Sequence, residues 1–324
     1  MHLGLTYQNT VWIHCPAGYV SGGPEALHQL SRALLDLGLD ARMVYYPETK
    51  NGQAVPQPFA SYSPVVSPRA DAQRDDVVLV PEAATKILRR FKNARRVVWW
   101  LSVDYYRQTR TAWQTTKDMI RGGLSLGMKQ MEGIAHLCQS FYAHTYLQTH
   151  GIGDAAFVTD YIREVAQRPL RDSEIVERED IVLYDPRKGG AAAKRLMETG
   201  HGNFKWMPIR GLKPSQVREV MRSAKLYVDF GHHPGRDRMP REAAMSGCCV
   251  LTGRRGSAAN DYDVPIPAFY KVDEQQTGWE HEAILKIEDI VSDYDAHASV
   301  FAPYREWISG QQAQFMEEVR AAFL

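Results

Sequence analysis

Residues 230–251, FGHHPGRDRMPREAAMSGCCVL, indicate the fold class most clearly. An apolar run ends at Phe230, and a polar stretch with two histidines and three arginines follows. Pro240 and Gly247 mark the start and the end of a predicted short helix, which leads into a second apolar strand. A strand, a loop, a helix and a further strand in this order form the repeating unit of α/β folds with a parallel sheet.

The same alternation of apolar runs and amphipathic stretches extends along the whole chain. The first half has six candidate strands: Val11–Cys15, Ala41–Tyr46, Val77–Val80, Val97–Val103, Ile134–Cys138 and Ala155–Thr159. The second half has four, with helices after Gly189, Pro214 and Pro240: Ile181–Tyr184, Phe204–Met207, Leu226–Phe230 and Cys249–Thr252. We therefore predict an α/β fold with two Rossmann-like, doubly wound domains that face each other across a cleft. Ligands bind outside the carboxyl ends of the strands in such sheets.

Composition shifts along the chain predict where the domains lie. Residues 1–165 form the first predicted domain and residues 175–298 the second, because the charged, non-periodic stretch 162–179 separates them. Residues 299–324 predict a long helix or helix pair, for which packing back on the first domain is one option. Pro47–Asp76 is rich in proline and has little periodicity, so we expect a long surface loop there.

Composition and charge exclude several classes of protein. The 324 residues are 44% apolar, with 39 Lys+Arg against 38 Asp+Glu. A nearly neutral chain is not typical of polyanion-coating proteins, and we predict no nucleic-acid partner. The start of the chain predicts no signal peptide, and no apolar run is long enough to span a bilayer. The four cysteines lack zinc-like or CxxC spacing, which favours reduced core thiols in a cytoplasmic protein.

Two candidate sites follow predicted strands of the first half. Gly22 and Gly23 would let the backbone approach a ligand closely, with Pro24 at the first helical position, or they only make a tight turn. Asp104 ends a strongly apolar strand. Its carboxylate could act as a general base, or it could cap the segment that follows.

Two further candidate sites follow strands of the second half. Arg187 and Lys188 precede Gly189 and Gly190 at a predicted helix start. They form either a phosphate site or a solvated basic turn. The small residues around Gly256 and Ser257 could line a phosphate or sugar pocket.

The loop and helix of residues 230–251 form the most informative candidate. Its arginines and histidines would face an anion or form a solvated surface. Glu242, in the first turn of the predicted helix, could hold a ribose diol or be a charge that the helix dipole favours.

Residues 241–250, REAAMSGCCV, resemble the second half of the E-x7-E signature of retaining GT-B glycosyltransferases, the family 4-like group. In that signature a Glu-Ala-Met-Ala-x-Gly helix enters a Val-rich strand. Lys188-Gly189 is similar to the Lys-Gly pair at which the family binds donor diphosphate. Gly256-Ser257 takes the place of a Gly-Gly loop, and Gly22-Gly23 resembles the glycine loop of the first domain.

The resemblance implies transfer of a sugar from a nucleotide-sugar donor, a UDP- or GDP-sugar, to a glycan or lipid-linked acceptor. It further implies a retaining reaction, without metal or other cofactor, in the biosynthesis of a surface polysaccharide such as lipopolysaccharide or capsule. Glu242 would hold the ribose, and Lys188 with a neighbouring arginine would neutralise the leaving diphosphate. The arginines of this predicted donor site are Arg187, Arg238 and Arg241.

The sequence departs from the family pattern at two positions. Pro234 stands where the first glutamate of the signature would fall. The donor-sugar contact is therefore missing or has moved to His232, His233 or Asp237. Tyr184-Asp185 replaces the usual Gly-Arg pair, and the missing positive charge would then come from another residue of the loop. The candidates are Arg236, Arg238 and Arg241.

These departures keep alternative functions open. An inverting reaction would need a base in the first domain, and Asp104 or Glu25 is the candidate. A non-catalytic nucleotide- or glycan-binding subunit of the same fold is one further reading, and a sugar-nucleotide epimerase is another. The DxD matches at 261–263 and 293–295 lack the structural context of a metal site, and we interpret both as chance.

A basic stretch at residues 86–96 offers a contact with the inner face of the membrane. Its members are Lys86, Arg89, Arg90, Lys92, Arg95 and Arg96. Anionic lipid would attract such a patch and so bring a lipid-linked acceptor close. A solvated face of a soluble helix is the alternative.

Overall fold

The chain forms two parallel β-sheets, each in a structural unit of its own. The structure, a computed structural model, describes residues 1–48, 53–111, 113, 115–116, 123–163, 177–200 and 202–324. The first unit comprises Met1–Asp160 and Gln312–Leu324, and the second comprises Tyr161–Gln311. Most of the predicted boundary segment, residues 164–176, lies outside the described residues.

The first unit has seven strands in the order β3-β2-β1-β4-β5-β6-β7. The strands are β1 (Thr10–Pro16), β2 (Asp40–Tyr46), β3 (Val65–Val66), β4 (Val77–Pro81), β5 (Arg95–Trp100), β6 (Ala135–Cys138) and β7 (Ala155–Phe157). Its helices include α1 (Gly22–Asp36), α2 (Val103–Thr109), α3 (Phe141–Thr149) and the 3-10 helices Gln57–Tyr62, Glu82–Arg90 and Met128–Met131. Helices cover such parallel sheets, and the central strands are accordingly buried, as in β4, where every residue is buried. The edge strand β3 is exposed and β7 is partly exposed.

The second unit has five strands in the order β12-β11-β10-β8-β9. The strands are β8 (Glu179–Tyr184), β9 (Lys205–Pro208), β10 (Ala224–Asp229), β11 (Cys249–Gly253) and β12 (Lys271–Val272). Its helices include α4 (Gly190–Thr199), α5 (Pro214–Ser223), α6 (Arg238–Met245), α7 (Trp279–Ser292), α8 (Tyr294–Val300), α9 (Ala302–Ser309) and the 3-10 helices Ser257–Ala259 and Ala268–Tyr270. Each of the ten predicted strands overlaps an observed one.

Strand order defines one switch point in each sheet. The chain proceeds outward from β1 to β3 and then returns to the other side of β1 with β4. In the second sheet it proceeds from β8 to β9 and returns with β10. Adjacent crossovers then lie on opposite faces, which opens a crevice at the carboxyl ends of the two central strands. Loops after β1 and β4, and after β8 and β10, are therefore the places to look for ligand-binding residues.

Three helix starts differ from the sequence predictions. β5 ends at Trp100 and Val103 already begins α2, so that Asp104 lies in a helix rather than at a strand end. Ser102 caps this helix by accepting a hydrogen bond from the backbone N–H of Tyr105. The first four N–H groups of a helix have no partner within it, which makes the first turn tolerant of proline.

Proline is tolerated anywhere in the first turn of a helix, and this explains the other two differences. Helix α1 begins at Gly22, and Pro24 is its third residue rather than its first. Helix α6 begins at Arg238, and Pro240 is its third residue. Glu242 consequently lies in the second turn of α6, where the helix dipole acts on it more weakly than predicted.

The segment 47–76 is not simply the predicted surface loop. It contains the 3-10 helix Gln57–Tyr62 and the short strand β3, while residues 49–52 lie outside the described residues. Phe59 is fully buried, and its ring centroid lies 4.5 Å from that of His28 on α1. One buried aromatic side chain in a proline-rich stretch produces no periodic pattern, and the burial of Phe59 therefore could not be predicted from the sequence.

The C-terminal segment forms α8, α9 and a last helix, α10 (Gln311–Phe323), instead of one helix or a pair. Residues of α10 from Gln312 onward belong to the first unit. Within that unit, Glu318 accepts hydrogen bonds of 2.7 Å from both the backbone N–H and the hydroxyl of Thr159. The N-terminal Leu3 donates a backbone hydrogen bond to Ala322. The last helix thus contributes to the core of the first unit.

Candidate functional site

The switch point of the second sheet brings two loops into contact. One loop follows β8 and contains Lys188 and Gly189, and the other follows β10 and begins at Phe230. A Cβ atom on Gly231 would lie 2.8 Å from the Cβ of Lys188, and one on Gly189 would lie 3.5 Å from the backbone nitrogen of Phe230. Glycine at both positions therefore allows the close approach of the two loops.

Lys188 is the cation at this contact. Its Nζ lies 2.5 Å from Oδ1 of Asp237, in the loop after β10. Burial would lower the pKa of Lys188, but Asp237 and Asp229 outweigh it and the pKa is raised. The ammonium group therefore stays charged and is held at the switch point. This agrees with the predicted position of Lys188 beside a helix start, because α4 begins at Gly190.

His233 contacts both Asp229 and Asp237, and together with Lys188 these residues form a cluster. The side chain is fully buried, with Nδ1 2.9 Å from Oδ2 of Asp237 and Nε2 3.5 Å from Oδ1 of Asp229. Burial would lower the pKa of His233, yet the two carboxylates raise it overall. Burial would in turn raise the pKa of Asp237, but His233 and Lys188 lower it to about 2. The cluster is thus a buried network of one ammonium group, one imidazole and two carboxyl groups.

The same three side chains have the ligand types of a metal site. One ligand atom each from Asp229, His233 and Asp237 falls within 4.8 Å of the others. However, both oxygens of Asp237 are already engaged, one by Lys188 and the other by His233. A metal ion would have to compete with an ammonium group for the same carboxylate, and so the arrangement fits an internal ion network better than a metal centre.

Arg187 and Arg241 occupy very different surroundings. Arg187 is 82% exposed and pairs with Asp185 at 3.1 Å. Arg241 is only 1% exposed. It donates to the carbonyl oxygens of Asp237 and Arg236 and, at 2.7 Å, to the side chain of Gln311. The Arg241 guanidinium therefore fixes the conformation of the loop after β10 from inside, and a contact between Arg241 and a ligand stays a prediction.

Three further predicted residues, Arg236, Arg238 and Glu242, belong to the loop after β10 and to α6. The Arg236 guanidinium lies 4.6 Å from the centroid of the Trp307 ring and is buried. Arg238 is the first residue of α6 and Glu242 the fifth, and both side chains are half-buried. Their spacing of four residues places both on the same face of α6.

The loop of Gly256 and Ser257 is fastened to the loop of His233. Gly256 has φ +60°, and a Cβ atom there would overlap the carbonyl oxygen of His233. The backbone N–H of Ser257 donates to His233 at 2.9 Å, and its hydroxyl donates to the carbonyl of Gly235 at 2.6 Å. Ser257 is fully buried, so its hydroxyl serves the contact between the two loops.

A pocket of about 250 Å³ opens beside Lys188 within the second unit. Its principal lining residues are Lys188, Arg195, Phe230, Arg255, Glu274 and Trp279. The Arg195 guanidinium lies 5.2 Å from the centroid of the Trp279 ring, which itself lies 5.3 Å from that of Phe230. Three cations, two aromatic rings and one carboxyl group thus surround a single concave site.

Glu274 is a pocket residue that sequence reasoning missed. Burial raises its pKa to about 7, although Arg255, 3.8 Å away, and His233 oppose this. Glu274 follows β12, which has only two residues, and such a short strand leaves no recognisable apolar run. Glu274 does follow a strand, but that strand is too short to be recognised from an apolar pattern.

The switch point of the first sheet contains different chemistry. Gly22 and Gly23 begin α1, and a Cβ on Gly23 would lie 3.7 Å from the side chain of Leu101, which follows β5. Glu82, directly after β4, is buried and accepts a hydrogen bond of 2.8 Å from the backbone N–H of Leu101. Burial raises the pKa of Glu82 to about 7. Sequence reasoning missed this carboxyl although it stands directly behind an apolar strand.

The two predicted bases of the first domain lie on different helices. Glu25, on α1, is buried and accepts a hydrogen bond of 2.9 Å from the hydroxyl of Tyr62. Asp104, on α2, lies 3.8 Å from Arg107 and is partly exposed. The role of Glu25 or Asp104 as a base stays a prediction.

The basic stretch 86–96 does not form one continuous helical face. It ends a 3-10 helix, Glu82–Arg90, and begins β5. Arg89 donates to the carbonyl of Leu124 and Arg95 donates to that of Leu3, while Arg90 pairs with Glu48. No helix in the described part of the chain is both long and apolar enough to cross a membrane.

No protein-family model and no curated protein matches this chain. Solved structures do match it over nearly its whole length. HepE of Anabaena, in complex with UDP and glucose, has a TM-score of 0.66 at 11% identity, covering 96% of this chain and 98% of HepE. Sucrose-phosphate synthase from Thermosynechococcus elongatus has a TM-score of 0.63 at 14% identity, covering 97% and 99%.

A third similar structure is WaaG, a glycosyltransferase involved in lipopolysaccharide biosynthesis. It has a TM-score of 0.54 at 11% identity, covering 96% of this chain and 99% of WaaG. The three neighbours are two-domain GT-B glycosyltransferases, so the predicted GT-B α/β fold is confirmed. At these identities the likeness establishes the fold, and function has to be argued from the residues of the site.

Proposed function

We propose that this protein is a glycosyltransferase that moves a sugar from a nucleotide-sugar donor to a glycan or lipid-linked acceptor. The observation that carries this proposal is Lys188, a charged ammonium group held by Asp237 at the switch point of the second sheet. That position is where open α/β sheets bind ligands, and the helix that begins directly after it at Gly190 presents unpaired N–H groups. A nucleoside diphosphate matches both features.

The chemistry follows from where charge develops. When the bond between the sugar and the diphosphate breaks, negative charge accumulates on the leaving phosphate oxygens. Lys188, the N-terminus of α4 and the pocket arginine Arg255 would stabilise that charge without a metal ion. Because Asp237, itself in contact with His233, holds Lys188 before the ligand arrives, little reorganisation is needed at the moment of transfer.

The finer assignments rest on the family resemblance. UDP- or GDP-sugars are the expected donors, Glu242 is the expected ribose contact, and retention of configuration at the anomeric carbon is the expected outcome. Surface polysaccharide or glycolipid is the expected product. HepE, solved with UDP-glucose, is consistent with a donor of this class. Free, buried thiols at all four cysteines support a cytoplasmic location.

The decisive experiment combines binding and turnover. Purified wild type and Lys188→Met are titrated with UDP, GDP and ADP, and the matching nucleotide-sugars are then incubated with and without glycan acceptors. We expect one nucleotide to bind the wild type and the variant to lose turnover by about a hundredfold or more, as when one oxyanion donor is removed. Lys194→Met, which alters an exposed cation of α4 that pairs with Glu198, is the control. A wild type that binds no nucleotide would refute the proposal.

Product analysis separates the competing functions. Nuclear magnetic resonance of the product reports retention or inversion, and inversion would direct attention to Asp104 and Glu25 as bases. Pro234, in the place of the signature glutamate, keeps a non-catalytic binding subunit as the second candidate. Nucleotide binding without transfer or donor hydrolysis would favour that subunit. Conversion of the donor alone, without acceptor, would favour an epimerase.

Membrane contact through residues 86–96 is a separate part of the proposal. Arg89, Arg90 and Arg95 make contacts inside the first unit, which leaves fewer cations for lipid than the sequence suggested. Flotation with vesicles of anionic lipid tests it. Binding that disappears with neutral lipid or high salt is expected, and a protein that stays with the unbound fraction would rule membrane contact out.

A further inference from the structure

The pocket beside Lys188 contains a carboxyl group with one buried oxygen that makes no hydrogen bond among the described residues. Glu274 is 9% exposed, and its Oε2 is a buried atom that makes no hydrogen bond within the described part of the chain. Its Oε1 lies 3.8 Å from Arg255, too far for a hydrogen bond. A buried acceptor without a donor is costly, and its usual justification is a ligand that supplies the donor.

The backbone is shaped to accommodate this carboxyl group. Gly253 ends β11, and a Cβ atom there would overlap Oε2 of Glu274. Glycine at this position therefore leaves the space that the carboxyl occupies. The pocket wall also contains a buried donor without an acceptor, since Nε1 of Trp279 makes no hydrogen bond among the described residues. An acceptor and a donor are thus both unsatisfied around one pocket.

The walls of the pocket suit an aromatic heterocycle. Its volume is about 250 Å³. The rings of Phe230 and Trp279 form part of its wall, and the ammonium group of Lys188 borders it on one side. A nucleotide whose diphosphate contacts Lys188 would therefore have room for its base next to Glu274.

We propose that this pocket binds the nucleobase of the donor and that Glu274 selects guanine. This inference rests on the proposed nucleotide-sugar function of the same site. An ionised carboxylate only accepts hydrogen bonds. Guanine presents two adjacent donors, N1–H and the N2 amino group, which match the two oxygens of one carboxylate, and its O6 next to them would accept from the indole N–H of Trp279.

The other bases fit this arrangement less well. Uracil offers a single N–H between two carbonyl oxygens, and those carbonyls repel a carboxylate. Adenine and cytosine present an amino group beside a ring nitrogen that accepts rather than donates. Each leaves one carboxylate oxygen opposite an acceptor. Specificity then arises because a buried polar group without a partner is penalised, not only because the correct base gains a contact.

The test compares nucleotides and one isosteric variant by calorimetry at pH 8, where Glu274 is largely ionised. GDP, UDP, ADP and CDP are titrated into the full-length wild type, Glu274→Gln and the control Glu282→Gln, whose side chain pairs with Lys286 on α7. We expect the wild type to prefer GDP over UDP by about tenfold or more, as a bidentate contact to a base typically gives. Glu274→Gln should lose most of this preference, because an amide matches the edge of uracil, and Glu282→Gln should keep it.

The outcomes separate this inference from the proposed function. Binding of UDP equal to or tighter than that of GDP would overturn the selection of guanine while leaving nucleotide binding intact. Equal weakening of all four nucleotides by Glu274→Gln would do the same, because it would reveal a purely structural side chain. Binding of none of the four by the wild type would instead refute the nucleotide site as a whole. Circular dichroism and melting of each variant confirm that the affinities compare folded proteins.

Discussion

The two units place opposite kinds of chemistry at equivalent points of their sheets. At the second switch point, Lys188 and His233 oppose Asp229 and Asp237 in a buried ion network. At the first, the central group is Glu82, whose carboxyl accepts a hydrogen bond from the backbone instead of meeting a side-chain cation. Burial also lowers the pKa of His14, on β1, to about 4, so that this imidazole is neutral near pH 7.

This difference has a functional meaning. A pre-formed network of fixed charges suits a ligand that carries charge of its own, because the field of the site is already directed at it. A site of neutral and backbone groups suits a ligand that offers hydroxyl groups. The difference agrees with the proposed donor role of the second unit and with the expected acceptor role of the first, although nothing in the strand order requires these roles.

The largest expected effect is a loss of stability in Arg241→Met. It tests whether this charged residue of the second unit stabilises the fold rather than binding a ligand. Arg241 is buried, and its guanidinium donates to two backbone carbonyls and to Gln311. Arg241→Met should lower the free energy of unfolding of the second unit by about 3–5 kcal/mol, because the acceptors lose a buried, charged donor. Urea denaturation followed by hydrogen exchange of the β10 and β11 amides measures it.

Lys194→Met provides the control for this change. Lys194 is 77% exposed and pairs at the surface of α4 with Glu198, which is 64% exposed. Its removal should change the free energy of unfolding by less than about 1 kcal/mol. If Arg241→Met were equally mild, Arg241 would not be a structural residue, and its predicted contact with the donor would become the better explanation of its position.

The next effect concerns the buried carboxyl of the first unit. Burial raises the pKa of Glu82 from 4.5 to about 7. A raised pKa means that the stabilisation by the protonated form is complete below pH 4.5 and is lost as the pH rises through 7. The wild type should lose about 3 kcal/mol over this interval. Glu82→Gln, which cannot ionise, should not show this loss.

Unfolding curves from pH 5 to pH 8 measure the effect of Glu82→Gln. The variant should be more stable than the wild type at pH 8 and closer to it at pH 5. Glu132→Gln, at an exposed glutamate of the same unit, should follow the wild type at every pH. Parallel curves for Glu82→Gln and the wild type would show that the Glu82 carboxyl has an ordinary pKa and that backbone donors suffice to stabilise its charge.

A feature of this molecule could be predicted from the sequence when it depends on residues that lie close together along the chain. Strands such as β1 and β10 were predictable because a continuous apolar run indicates a strand that is buried on both faces of its sheet. Lys188 was predictable because it stands between a strand and a glycine-opened helix. The partner that holds it, Asp237, lies 49 residues away in sequence. Only the switch in strand order brings those two loops together, and local patterns do not contain that information.

The errors have physical causes of the same kind. Helix starts were misplaced at Pro24 and Pro240 because proline is acceptable anywhere in a first turn. The burial of Arg241 could not be predicted from its polar sequence neighbours, because it arises from contacts with Gln311 and the loop after β10; its contact with the donor stays a prediction. Glu274 was missed because a two-residue strand precedes it. Sites formed by distant segments therefore need the fold before their members can be named.

The smallest expected effect returns to the ion network and distinguishes it from a set of neutral hydrogen bonds. The carboxylates of Asp229 and Asp237 raise the pKa of His233 above its ordinary value of 6.5 despite burial. Stabilisation by the imidazolium is then complete below pH 6.5 and is lost as the pH rises through the raised pKa. His233→Gln should lower the free energy of unfolding by about 2 kcal/mol at pH 6, the value of a hydrogen bond to a charged group, and by progressively less toward pH 9.

His281→Gln, at an exposed histidine on α7, is the control and should not alter the pH dependence of the free energy of unfolding. A cost that stays constant from pH 6 to pH 9 would mean that His233 is neutral throughout. The second switch point would then resemble the first more closely than its charges suggest.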